Sequence, residues 1–177
     1  MNNMIRSRWL RSILLFALVL SAANCGDESE VIIQELNCDL EGFEGGNYEM
    51  VINSVTDGCT GGVIVGQYVQ PGDRFGPVTL PPGDQLPPTI VIPNVPLVGT
   101  VEFQVSTDGN VIRISGSPGQ ANVPGIGSVT ATVSGTFCPI AETAQVDGEV
   151  TVSITSAPLI DTPCNVRALV TGLLLGS

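Results

Sequence analysis

The chain contains no histidine. It also has no lysine, since its six basic residues are all arginines. Without histidine there is no Ser-His-Asp or Cys-His catalytic arrangement and no histidine-ligated zinc or copper. Without lysine there is no Schiff-base chemistry. The glycine-containing loop "CTGGVIVG", Cys59 to Gly66, lacks a Walker lysine and dinucleotide spacing, so Gly61 and Gly62 read as turn residues. The cysteines show no C-x-x-C spacing, which leaves thiolate metal sites and thioredoxin-like redox motifs without support. None of the Asp-Gly pairs sits in a D-x-[DN]-x-[DN]-G calcium loop. No metal and no cofactor is implied. Carboxylate chemistry survives: two acids ~5–9 Å apart could hydrolyse a glycoside. No local pattern marks such a pair, and seventeen acids make a chance pair common.

What is present begins with a targeting segment. Arg6, Arg8 and Arg11 form a positive n-region, and "SILLFALVL", Ser12 to Leu20, is an apolar h-region. Small residues follow in "SAAN", Ser21 to Asn24. That is the order of a secretory signal. The apolar run is shorter than the ~20 residues that span a bilayer. Two cleavages are open. Ser21-Ala22-Ala23 suits an ordinary signal peptidase. Alternatively, "SAANC" resembles the lipobox of bacterial lipoproteins, with Ala22 where Leu is usual and Asn24 where a small residue is usual. The resemblance implies that Cys25 becomes the acylated first residue.

Cysteine arithmetic favours the second cleavage. The five cysteines are Cys25, Cys38, Cys59, Cys138 and Cys164. Acylation of Cys25 leaves four, enough for two disulfides in an oxidising compartment. The expected organisation is a signal peptide over 1–24, an acidic tether over 25–37 and one domain over 38–177. The tether reading rests on charge: Asp27, Glu28, Glu30, Glu35, Asp39, Glu41, Glu44 and Glu49 come with no intervening base. Such runs are usually solvated faces or tails rather than ligand sites.

Removing residues 1–24 leaves 153 of the 177, enough for a single domain with a core. Arg74, Arg113 and Arg167 then face all seventeen acids, a net charge of −14. That charge repels nucleic acid and gains nothing from anionic headgroups. Membrane association must therefore come through the lipid anchor. A protein or small-ligand partner is left unidentified by the sequence.

Period-two alternation marks the domain as all-β. In "SVTATVSGTF", Val129, Ala131, Val133 and Phe137 alternate with Ser128, Thr130, Thr132, Ser134 and Thr136. "EVTVSITS" and "VEFQVS" repeat the pattern, giving one buried and one wet face. The expected strands are Val31–Leu36, Tyr48–Val55, Val63–Val69, Leu97–Thr107, Asn110–Ser115, Ser128–Phe137, Glu149–Ser156 and Val166–Leu174. Asp108-Gly109 reads as a tight hairpin, Asp57-Gly58 as a strand end, and Asp147-Gly148 as a turn or bulge. About eight strands in an antiparallel meander form an up-and-down β-barrel or a β-sandwich. Gly46-Asn47-Tyr48 resembles the Gly-x-Trp opening of lipocalin-like barrels, which serves as a label for the barrel option.

Pro71 to Pro96 holds eight of the thirteen prolines. Proline removes donors, so the region is expected as an ordered loop, with "TIVI", Thr89 to Ile92, as a short edge strand. A long loop in a compact domain is either packing or a lid. Arg74 and Phe75 are its side chains of interest. Arg113 and Arg167 are expected to pair with neighbouring carboxylates.

Strand parity bears on the disulfides, for which four cysteines allow three connectivities. With the strands above, Cys59 and Cys138 share one end of the sheet and Cys38 and Cys164 the other. Parity favours Cys59–Cys138 with Cys38–Cys164. Cys38–Cys59 with Cys138–Cys164 is the second choice if the Pro-rich region or residues 139–148 add a strand. Three functions compete: a non-catalytic envelope lipoprotein acting through its surface, a small-ligand-binding barrel, and a carboxylate hydrolase. A filled interior supports the first, and a continuous apolar cavity the second.

Overall fold

Residues that alternate apolar and hydroxyl side chains can bury one face by curling the sheet around it or by packing two sheets face to face. The computed structural model describes residues 37–59 and 68–176, the side chains at 117 and 118 excepted. It shows eight strands: β1 (Gly46–Asp57), β2 (Arg74–Leu80), β3 (Thr89–Val95), β4 (Gly99–Asp108), β5 (Val111–Val123), β6 (Gly127–Ile140), β7 (Gln145–Ser156) and β8 (Cys164–Leu174). They form one antiparallel sheet in the order β2-β1-β8-β7-β6-β5-β4-β3. The described residues lie in one unit, Glu35–Ser177. The expected strand Val31–Leu36, residues 63–67 of the expected strand Val63–Val69, the signal peptide, Cys25, Gly61 and Gly62 lie outside the described residues, while Tyr68 and Val69 lie in a connection rather than a strand.

β1 pairs with β8 from Tyr48↔Leu174 to Asp57↔Val166, which brings the first and last strands side by side. Only β2 and β3 lack a ladder at the closing seam. There Asn94 Nδ2 donates to the Gly76 carbonyl at 3.4 Å. Phe75, Val78 and Leu80 of β2 and Ile90, Ile92 and Val95 of β3 are buried in the common core. The result is a nearly closed up-and-down barrel, sealed at the seam by side chains.

The Pro-rich region is not a loop throughout, which corrects the sequence reading: it contains β2 and β3 whole, with "TIVI" inside β3. Its prolines did not prevent strands because both strands are edges. Pro77 and Pro93 remove donors on strands that have a ladder on one side only, where a lost donor costs least. The other six prolines lie in the connections. Asp147-Gly148 is likewise inside β7 rather than in a turn. Asp108-Gly109 does make the β4–β5 hairpin, with Gly109 at φ 59°.

This extra strand also corrects the disulfides. The bonds are Cys38–Cys138 and Cys59–Cys164. Neither of the two pairings favoured from sequence occurs. Among the described residues two strands, β2 and β3, lie between β1 and β4 where the sequence reading placed one, and every later strand runs opposite to the expected direction. Cys138 and Cys164 both change ends, and each meets the cysteine that parity had denied it. Cys138 lies near the end of β6 beside the entering chain, where Asp39 N–H donates to the Pro139 carbonyl at 2.8 Å. Cys164 opens β8 opposite the end of β1, where Gly58 N–H donates to the Asn165 carbonyl at 2.8 Å.

The interior follows the alternation. Val129, Ala131, Val133 and Phe137 of β6 are buried, as are Val146, Val150, Val152 and Ile154 of β7 and Val166, Ala168 and Val170 of β8. Each fully buried Val or Ile is worth roughly 1.5–3 kcal/mol. The Phe137 ring fits because its cross-strand partner is Gly148. A Cβ on Gly148 would stand 2.5 Å from that ring and 2.6 Å from the Thr136 carbonyl oxygen. At the Cys38 end, Leu40 and Phe43 are buried, and Phe43 stacks on Tyr48 at 5.8 Å between centroids. Val69, Ile126 and Ile160 are buried in the connecting segments.

The two disulfides span sequence separations of 100 and 105 residues. Loops of that length restrict the unfolded chain strongly, by up to about 4–5 kcal/mol in the entropic limit and typically ~2–4. The double variant Cys59→Ser/Cys164→Ser is expected to lose about 2–4 kcal/mol in denaturant unfolding. An unchanged midpoint would show that the bond does not constrain the chain.

Tyr48 is 1 % exposed and its hydroxyl lies 3.4 Å from the Gly45 carbonyl. Burial raises its pKa above the ordinary value, because the phenolate cannot be solvated there. The folded pKa thus exceeds the unfolded one, so the contribution is intact below pH ~10 and is lost as pH rises beyond it. Tyr48→Phe is expected to flatten the decline of stability above that pH, measured by urea titrations across the alkaline range.

Candidate functional site

Each side chain singled out from sequence has a structural place. Arg74 lies outside and pairs with Glu49 of β1. Phe75, its neighbour, is buried in the core. Arg113 pairs with Asp108 at 3.0 Å across the β4–β5 hairpin. Both pairs are surface-exposed and contribute little to stability. Arg167 lies in β8 opposite Thr151. The four cysteines form the two bonds described, and Cys25 is outside the described residues.

Among the described residues no carboxylate, arginine, amide or aliphatic hydroxyl side chain is buried. Asp147 accepts hydrogen bonds from Thr171 at 2.7 Å and Gln145 at 2.9 Å on the outer wall. Thr171 in turn accepts one from Asn53 at 2.8 Å. This is a chain of solvated polar contacts that holds strands together from outside. Among the described residues no three cysteines or carboxylates are grouped to hold a metal.

The barrel interior is filled by side chains. One void of about 20 Å³ lies among Met50, Phe75, Ile90, Ile114, Phe137 and Val146. A second, of about 30 Å³, lies among Ile52, Val95, Leu97, Val152 and Val166. Each has room for about one or two waters but no polar partner to hold them. Small-ligand sites run to ~300–1,000 Å³.

A larger concavity lies in the wall. It measures about 310 Å³ and is lined by Val98, Thr100, Val101, Glu102 and Gln104 on one side, Gly119 and Gln120 on the other, with Ala131 and Val133 of β6 at its floor. Its cause is a parting of two neighbouring strands. The β4–β5 ladder runs from Asp108↔Val111 to Phe103↔Gly116. Beyond that point none of Gly119 to Val123 pairs with β4, and these residues pair with β6 alone. The β5–β6 register shifts between Gly116 and Gly119, so a bulge turns the lower half of β5 away.

The orientation of the exposed backbone can be derived. Val105 N–H donates to the Pro88 carbonyl at 2.8 Å, on the β3 side of β4. Main-chain polar groups alternate sides along an antiparallel strand. Those of Thr100 and Glu102 therefore point to the β5 side, into the groove. On the opposite wall the space at Gly119 is open: a Cβ there would meet nothing within 4 Å. Gly116, where the ladder ends, is different, since a Cβ there would lie 2.8 Å from Val101 Cγ1.

Sequence reasoning missed this groove because it ended the fifth strand at Ser115. "SGSPGQAN", Ser115 to Asn122, lies between the expected strands Asn110–Ser115 and Ser128–Phe137. Glycine and proline inside a strand also signal a bulge, and that is what they mark here.

No protein-family model, no curated protein and no solved structure matches this chain.

The open space at Gly119 predicts that Gly119→Val folds with stability within about 0.5 kcal/mol of the parent. Gly116→Val, one bulge away, is expected to lose about 1–3 kcal/mol through overpacking. Chemical denaturation of the two variants distinguishes them, and equal losses would show that the groove is not open at Gly119.

Proposed function

We propose that the protein is a membrane-tethered module of the bacterial envelope that does no chemistry and acts through its outer surface. The packed core carries this reading: the two apolar voids among its described residues measure about 20 and 30 Å³, far below ligand size. Among the described residues no carboxylate or arginine is buried, which supports the non-catalytic part, since acid-base catalysis needs groups held in a desolvated cleft. Two disulfides accord with an oxidising, exported environment. Among the described residues no helix is long and apolar enough to cross a membrane. The anchoring part rests on the sequence: a signal segment ends at Cys25, an acidic stretch follows, and the other four cysteines are paired.

Small-ligand binding is the second reading. The wall groove of about 310 Å³ favours it, as it reaches the lower size of ligand pockets.

Anchoring is tested in a bacterial host with the full-length chain. Cys25→Ser is expected to move the protein from the membrane fraction to the soluble fraction or to stall its processing. Intact-mass analysis of the parent is expected to show acyl chains on Cys25. A parent protein with an unmodified N-terminus at Asn24 would overturn the lipoprotein reading.

A further inference from the structure

We infer that the groove between β4 and β5 takes one extended peptide segment of a partner protein, paired as an added strand along β4. This rests on the reading that the protein acts through its outer surface, and it names the surface and the chemistry of what binds there.

Backbone chemistry identifies the occupant. Thr100 directs an N–H and a C=O into the groove and Glu102 an N–H, and these three groups have no ladder partner on that side among the described residues. The Glu102 carbonyl is taken by the N–H of residue 117, because Phe103↔Gly116 is a non-hydrogen-bonded pair flanked by that bond. Open groups at alternate positions present a spacing that another strand satisfies. A lipid chain or an apolar small molecule would leave them unpaired, at a cost for each group shut off from water. The β5 wall is the weaker template, because residue 118 is proline and has no N–H. The added strand therefore belongs to β4.

The rest of the wall supports the assignment. The seam between β2 and β3 also leaves ladder edges open, but each of those strands carries a proline and the seam is packed shut. That is the usual protection of a barrel edge. The β4 side of the groove has no proline in Gly99–Asp108. Its single charged lining residue is Glu102. Alternate side chains of an incoming strand would face the floor, where Ala131 and Val133 are apolar, and solvent beside Glu102. The preferred segment thus alternates apolar residues with polar or basic ones. Basic residues also suit a mature chain with three arginines against seventeen acids.

The probe is a synthetic peptide of sequence Val-Lys-Val-Thr-Val-Lys, added to the mature full chain in detergent micelles. Amide hydrogen exchange at Thr100 and Glu102 is read by nuclear magnetic resonance. The peptide is expected to slow exchange at both amides by about tenfold or more. The same peptide N-methylated at alternate residues is expected to give no protection, since it cannot complete a ladder. Gly119→Val is expected to abolish protection by filling the groove. Thr100→Pro is expected to do so by removing one donor that β3 does not use.

Unchanged exchange at both amides with ~1 mM peptide would overturn the proposal. Equal binding of the N-methylated peptide would overturn it too, and would assign the groove to side-chain or small-ligand recognition. So would full protection in Gly119→Val. Loss of peptide docking leaves membrane attachment intact, and Cys25→Ser leaves peptide docking intact, so the two readings fail separately.

Discussion

The pairing of β1 with β8 is the constraint on which the remaining structure depends. An antiparallel meander can join its first strand to its last only when the strand count is even. With β1 running one way and β8 the other, each connection is assigned to one end of the barrel. Cys59, just past β1, and Cys164, at the start of β8, must then share an end. Cys38, before β1, and Cys138, late in β6, share the other. The two covalent bonds are consequences of closure, and they hold the chain at both ends of the barrel.

Closure also explains the asymmetry of the wall. Ladders join β1, β8, β7, β6 and β5 along most of their length, interrupted by single bulges, and there the interior is filled mainly by Val, Ile and Phe. Between β5 and β2 the regularity declines. The upper half of β4 is held by β5, its lower half only by β3, and β3 meets β2 without a ladder. The seam strands carry Gly76, Pro77 and Pro93, and the bulge of β5 lies between Gly116 and Gly119. On an edge or at a bulge, proline's lost donor and glycine's missing side chain are tolerated. The breaks stand out against a well-paired wall whose outer polar side chains, such as Asn53, Asp147 and Thr171, bond to one another across strands.

Particular residues show where sequence reasoning held. The alternation of Val129 to Phe137 and of Val150 to Ile154 named inward and outward faces correctly. Asp108-Gly109 placed a hairpin, and Thr89 to Ile92 was read as an edge strand. These are local signals, carried by side chains a few residues apart. Arg74 and Phe75, singled out together in a supposed loop, went to opposite faces of β2 because adjacent strand residues must. The reading of Ser115 as a strand end failed for the opposite reason: β5 continues through a bulge that β6 sustains.

The sequence alone determined the class of the domain, the faces of its central strands, the excluded histidine and lysine chemistries, and the expectation that four cysteines pair. Periodicity and composition suffice for these, since each depends on residue type and near neighbours. Only the tertiary structure decided which cysteines pair, that Phe75 is core, and that a groove opens beside Gly119. Those outcomes depend on how many strands the Pro-rich region contributes. Edge and central positions tolerate proline differently, and whether a strand is an edge is fixed by partners far away in the chain.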